Sequence, residues 1–352
     1  MADCKLGSQK KILGIGNALV DTLIRVPDDA VLSRLSLDKG SMTLVDVTRL
    51  KSVLEETRHL ARRKSAGGSA ANTISGLARL GASTGFIGKV GSDSSGKYFE
   101  KEMTSHCIHT HMIPGTRPTG QCVSLISRDS ERTMTTYLGA AVELEARDLD
   151  PGMFSGFNYL HIEGYLVQDH LLIESAMKMA QAAGLEISLD LASFNIVREN
   201  LAFLRRIIEQ YVDIVFANEE EALAFTGKSL PHEALRQMAP TCKMAIVKIG
   251  PRGSLIHDRD RHYRIDCLRA RAVDTTGAGD LYAAGFLYGR INGLGPESCG
   301  RIGALLAGKV VEIVGAKLTQ RQWEQVHVPL QKILEGENAG NANSGRRIGP
   351  KG

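Results

Sequence analysis

The chain is expected to fold as an α/β protein around a central, mostly parallel sheet with helices on both faces. Three observations lead there. From residue 159 to 249, short β-branched apolar runs alternate with helical stretches, the pattern of successive strand–helix–strand units. The 352 residues can bury a large core, as one big α/β domain or as two. A hydrophobic fraction of 43% and a charged fraction of 23% are those of an ordinary soluble globular protein.

The elements follow in order. Residues 11–26, KILGIGNALVDTLIRV, are apolar and β-branched but broken by Gly14 and Gly16, so they read as a strand, a tight turn at Asn17 and a second strand. Residues 42–47 form a short strand. Residues 48–64 follow as an amphipathic helix, and Arg58, Arg62, Arg63 and Lys64 at its polar end read as a solvated face. A Gly-Gly turn opens a small-residue helix over 66–80, and 84–90 is the next strand. Residues 122–128 and 132–138 pair as a hairpin across the polar turn 129–131. Strands are predicted at 159–162, 186–191, 214–217 and 245–249, and helices at 171–183, 198–210, 219–225 and 233–238. A second hairpin joins 254–257 to 262–266, and helices fill 278–290, 296–314 and 319–334. Residues 336–352 have almost no apolar content and are expected to be a disordered tail.

Composition excludes several classes of function. The formal net charge of +4 is small for this length and leaves no nucleic-acid footprint. No apolar run approaches the roughly 18 residues of a membrane span. The polar start MADCKLGSQKK has no apolar signal-peptide core, so a cytoplasmic protein is expected. Six scattered cysteines, with no C-x-x-C pair, read as free thiols in a reducing compartment. His106, Cys107, His109 and His111 are metal-ligand types, but in an extended segment they point to opposite faces and lack a second cluster.

The chemistry concentrates at 274–280, DTTGAGD, which runs into an apolar helix. Gly277 and Gly279 let the backbone turn so that successive N–H groups at 277, Ala278 and 279 face one concavity. The helix N-terminus adds its positive dipole end, making a site for phosphate or developing negative charge. Asp280 places a carboxylate beside that site, where it can take a proton from an attacking hydroxyl. Alone, an aspartate in this position merely stabilises a helix dipole; here anion site and base arrive together. Other glycine runs lack such machinery. Gly14-Ile-Gly16 has no third glycine of the dinucleotide fingerprint, and Gly88-Lys89, with Ser83 five residues earlier, is no Walker A loop.

DTTGAGD, together with AGGSAAN at 66–72, resembles the two signature motifs of the ribokinase family of sugar and nucleoside kinases. The similarity runs from about residue 11 to 334 and takes in GSDSSG at 91–96, NEEE at 218–221 and KIGPRG at 248–253. GIGNALVD (14–21), ERTMTTYLGA (131–140), EGYL (163–166) and FANEEEA (216–222) are similar to bacterial adenosine-kinase-like members.

The resemblance implies a ribokinase-like three-layer sandwich over 1–335, with a small β lid from roughly 17–26, 40–47 and 108–140. It implies an ATP-dependent kinase with Asp280 as base and ATP and Mg2+ as cofactors. Asn17 and Asp21 match positions that hold substrate hydroxyls, a task suited to an acceptor-only carboxylate. Gly67, Gly68 and Asn72 match the turn that closes over the sugar. Arg132 matches a lid residue that reaches the transferring phosphate, with an exposed hairpin arginine an equally simple reading. Asn218 and Glu221 match an N-x-x-E element that places magnesium through water, with Glu220 an open alternative. Lys248, Gly250 and Gly253 match the loop beside ATP, and Asp274 a position supporting a monovalent cation such as K+ in some relatives. Tyr165, with Leu138, Leu166 and Phe194, is apolar material for a purine base, unless it is core. The expected substrate is a purine nucleoside such as adenosine. A free-sugar kinase, acting on ribose, fructose or a related sugar acid, stays open, as does an inactive binding protein on the same fold. The partners are a small molecule and ATP; monomer and lid-mediated homodimer are both open.

Overall fold

The structure, a computed structural model, describes residues 10–129 and 131–344. Its first eight strands are β1 (Lys11–Ile15), β2 (Leu19–Arg25), β3 (Met42–Leu44), β4 (Arg62–Gly67), β5 (Ser83–Gly91), β6 (His109–Gly115), β7 (Thr119–Ile126) and β8 (Arg132–Gly139). The remainder are β9 (Tyr159–Glu163), β10 (Glu186–Asp190), β11 (Ile214–Asn218), β12 (Met244–Lys248), β13 (Ser254–Asp258) and β14 (Arg261–Ile265). A nine-stranded sheet runs β14-β13-β12-β11-β10-β9-β1-β5-β6. Every pairing from β12 to β6 is parallel; only β13 and β14 join as an antiparallel edge.

Both faces of this sheet are covered, which is why its strands are apolar at successive positions and not only at alternate ones. Ile12, Phe86, Phe216 and Ile246 pack against Ile74, Phe286 and Ile302, from the helices Ser69–Arg79, Ala278–Ile291 and Pro296–Val310. Their neighbours Leu13, Ile87, Val215 and Val247 face the other way, toward Ile173 and Leu204 of the helices His170–Ala182 and Leu201–Tyr211. That makes the three layers. The helices Ala278–Ile291 and Pro296–Val310 approach so closely that a Cβ on Gly285 would stand 2.5 Å from the Ile302 carbonyl oxygen.

The second sheet, β3-β8-β7-β2-β4, is the lid, with its own core of Ile24, Leu50, Val53, Val123 and Leu125. Its composition differs from expectation in two places. The helix expected over 48–64 ends at Glu56, and Arg62, Arg63 and Lys64 belong to β4. Nothing in RRKSAG favours a strand locally; pairing with β2 imposes it, and its charged residues suit an exposed sheet edge. Residues 109–115 leave the lid and extend the main sheet beside β5.

Three helices escaped the sequence, among them Ala30–Arg34, whose five residues are too few for a periodic signal. Ser94–Ser105 buries only Gly96, Phe99 and Met103, so its apolar stripe is thin, although Asp93 caps it by accepting from Gly96 N–H at 2.8 Å. Phe194–Glu199 is too short for a periodic signal. The last helix, Gln320–Ser344, continues nine residues into the tail expected to be disordered, since adding residues to an existing helix needs no apolar face; the rest of that tail lies outside the described residues. Cys122, Cys242 and Cys267 are free thiols as expected, whereas Cys107 is disulfide-bonded and Cys4 lies outside the described residues. No described helix is long and apolar enough to cross a membrane.

Candidate active site

Parallel strands end on one edge, and that edge gathers the polar residues. Glu163, Asp190, Asn218 and Lys248 are the last residues of β9, β10, β11 and β12, and Asn17 lies two past the end of β1. The helix Ala278–Ile291 begins at the same edge. Gly277 enters it with φ +74°, left-handed backbone that favours glycine, and a Cβ there would meet the Cβ of Ala316 at 2.5 Å. Ala278 N–H donates to Thr275 O at 3.1 Å. Of the three amides expected to face an anion, those of Gly277 and Gly279 therefore have no backbone partner among the described residues.

Asp280 is gripped from the neighbouring helix. Its Oδ1 accepts from Ser69 Oγ at 2.7 Å and its Oδ2 from Asn72 Nδ2 at 2.9 Å. Burial raises its pKa to about 6, against the hydrogen bonds from Asn72 and Ser69, which lower it. A carboxylate poised there is ionised at neutral pH yet basic enough to accept a proton in transit. Asn72 Oδ1 is buried without a partner in the described structure, so an acceptor stands ready beside Asp280.

Asn17 is not free. Its backbone N–H and its Nδ2 both donate to Glu163 Oε1, at 2.9 and 2.5 Å, and Ala70 N–H donates to Oε2 at 2.9 Å. Glu163 thus ties the end of β9 to the turn after β1 and to the Gly-Gly helix. Burial, stronger than those three hydrogen bonds, raises its pKa from 4.5 to about 7. A carboxyl whose pKa is raised on folding contributes stability that is present below its unfolded pKa and lost as pH rises through its folded one. Glu163→Gln should therefore flatten the decline in stability between about pH 4.5 and 7, read as urea midpoints of the two proteins across that range.

Asp21 lies against the Cα of Gly67, where any Cβ would collide with its carboxylate. Burial raises Asp21 to about 6, opposed by the charges of Lys317 and Arg132. Gly68 has φ +104°, and a Cβ there would strike the Asn17 carbonyl. The Gly-Gly pair is thus demanded by two close approaches.

The N-x-x-E element is a capping box. Asn218 Oδ1 accepts from Glu221 N–H at 2.8 Å, while Glu221 accepts from Asn218 N–H and Nδ2, both at 2.7 Å. Glu221 is buried at 2% exposure, whereas Glu220 is exposed. Arg132 points at Asp274 rather than into open space: Nη1 lies 2.9 and 3.1 Å from its two oxygens, and Nη2 donates to Ser124 Oγ at 2.7 Å. Asp274 also accepts from Thr276 and Gly315 N–H, so the carboxylate matched to a monovalent cation is held by a guanidinium and two amides. Gly250 and Gly253 flank a tight turn between β12 and β13 with φ of +57° and +90°.

Tyr165 is 42% exposed, its O–H 3.5 Å from Ala192 O, so its ring stands between the ends of β9 and β10 and outside the core. Leu166 is core; Leu138 and Phe194 are half-buried. Sequence reasoning missed Ser69, Glu163 and Asp190 as site residues. For Glu163 and Asp190 a signal existed, since each is an acidic residue closing an apolar strand of a parallel sheet.

A model of the pfkB family carbohydrate kinases matches residues 40–323. A probable sugar kinase from Rhizobium etli is 32% identical, with a TM-score of 0.82 over 92% of this chain and 99% of that one. The adenosine kinase from Sinorhizobium meliloti is also 32% identical, with a TM-score of 0.81 over 92% and 100%. The nucleoside kinase of Methanocaldococcus jannaschii is 28% identical over 77% of this chain and 87% of its own. The chain belongs to the pfkB family of carbohydrate kinases, with the ribokinase-like fold. It is a phosphotransferase acting on a sugar or a nucleoside.

Proposed function

We propose that the protein is an ATP-dependent nucleoside kinase that phosphorylates the 5′-hydroxyl of a purine nucleoside, adenosine first among them. The observation that carries this reading is Tyr165, a flat aromatic ring left exposed between the ends of β9 and β10, with β9 paired to β1, the strand that leads to Asn17. A purine gains by covering such a ring; a free sugar has nothing to place there. The likeness to the Sinorhizobium adenosine kinase supports the same choice.

Asp21 takes the ribose diol, and the unpartnered Asn72 Oδ1 takes one further hydroxyl. The 5′-oxygen attacks the γ-phosphorus in line as Asp280 takes its proton; the new O–P bond replaces the bond to the β-phosphate oxygen, and ADP leaves. The Gly277 and Gly279 amides face the charge that develops. Among the described residues no group of three or more His, Cys, Asp or Glu side chains could hold a metal directly. Glu221, its oxygens each hydrogen-bonded once, retains acceptor capacity for a magnesium-bound water, as does Asn218 for a second contact. Magnesium, when bound with ATP, supplies neutralising charge on the phosphates.

Asp21→Ala removes a charged hydrogen-bond acceptor worth about 1.5–3 kcal/mol, so kcat/KM for the nucleoside should fall by about one to two orders of magnitude. The substrate assignment itself is tested by kcat/KM for adenosine, inosine, ribose and fructose at fixed ATP. A nucleoside should lead. If ribose or fructose exceeds both nucleosides, the enzyme is a sugar kinase.

A further inference from the structure

We infer that Asp190 is a positioning residue that holds the Lys248 ammonium against the anion-binding turn, so that Lys248 meets the transferring phosphoryl group as a fixed positive charge. The inference rests on phosphoryl transfer beside Asp280, and wild-type turnover in the experiment below checks that premise separately.

Lys248 Nζ donates to Asp190 Oδ2 at 2.8 Å, with side-chain exposures of only 15% and 7%. A Cβ on Gly279 would stand 3.1 Å from the same Nζ, the one contact within 4 Å of that point from the described residues outside its chain neighbours and its own helix backbone. The ammonium therefore sits over the glycine that precedes Asp280. Nothing in the fold calls for this pair. β10 and β12 are each already laddered to β11 between them, and burying two charges costs more than an apolar contact of the same size.

Asp190 is itself held in place. Its Oδ1 accepts from Ala192 N–H at 3.0 Å, and Ala192 reaches that position only with φ +62°, a left-handed conformation that alanine rarely adopts. Strain at this turn aims one carboxylate oxygen and leaves the other for Lys248. Burial works against the ammonium, but the carboxylates of Asp190, Glu221 and Asp280 around it outweigh that and keep it charged. A lysine pinned by one side of its donor set keeps two N–H bonds for an incoming phosphate oxygen.

The test is steady-state turnover of ATP and adenosine by wild type, Asp190→Asn, Lys248→Met and the double variant, with thermal unfolding of each as a check on folding. Lys248→Met should lower kcat about 10²-fold or more, the scale of losing one transition-state donor, with KM for ATP changed far less. Asp190→Asn, which keeps the shape but not the charge, should lower kcat about 10-fold or more. Because both act through one ammonium, the double variant should fall no further than about threefold below Lys248→Met. Should Lys248→Met not fold, Lys248→Gln, which can still hydrogen-bond Asp190, must show the kcat loss in a folded chain. Near-wild-type kcat in folded Asp190→Asn, or losses that multiply in the double variant, would overturn the inference. No turnover by wild type on any acceptor would instead remove the premise.

Discussion

Asp280→Asn should leave the fold and ATP binding intact and lower kcat about 10²–10⁴-fold, the range for a positioned general base. Asparagine preserves the shape, and its Oδ1 can still accept from Ser69, where the aspartate is held at 2.7 Å. What disappears is the basic oxygen at the mouth of the anion-binding turn. The effect should fall on kcat and kcat/KM together, because the proton moves only in the transition state. Calorimetric titration with ATP and a thermal unfolding curve separate this outcome from loss of structure. Near-normal turnover would remove Asp280 from the mechanism.

Arg132→Met should cost about 3 kcal/mol of stability as well as activity, the lower end expected when one partner of a buried ion pair is removed. The pair is 10% and 6% exposed, and it bridges the lid hairpin to the segment leading into the helix Ala278–Ile291. Burial pushes the Asp274 carboxyl up, but the Gly315 and Thr276 amides and Arg132 together hold it below the usual carboxylate range. Without Arg132 the two amides remain, which keeps the loss at the lower end. The lid would then no longer be fastened to the segment leading into the proposed anion-binding turn. Urea denaturation gives the first quantity and kcat the second. An unchanged midpoint would show that the pair contributes nothing to stability.

Much of this site was legible because its chemistry is local. Two glycines and an aspartate before a small-residue apolar helix are the local pattern of the proposed anion site and base, whatever the rest of the chain does. The parallel sheet was legible for a similar reason, since strand and helix periodicities differ within ten residues. What could not be read depends on distant partners. Ser69 and Asn72, which hold Asp280, lie 211 and 208 residues away from it, and Asp274 lies 142 residues from Arg132. β4 is a strand only because β2 lies beside it. Asn218 and Glu221 show the reverse: a motif ascribed to magnesium has a complete local use as a helix cap.

The pH dependence of the chemical step is the most direct test of Asp280 as the base. Single-turnover phosphorylation of adenosine at saturating ATP, measured from pH 5 to 8 in wild type and Asp280→Asn, isolates that step. Wild type should rise through a midpoint near the value of about 6 set by burial of Asp280, then level off. The variant should be slow and lack that midpoint. A variant that is comparably fast, or that keeps the same midpoint, would contradict the assignment of Asp280 as the base.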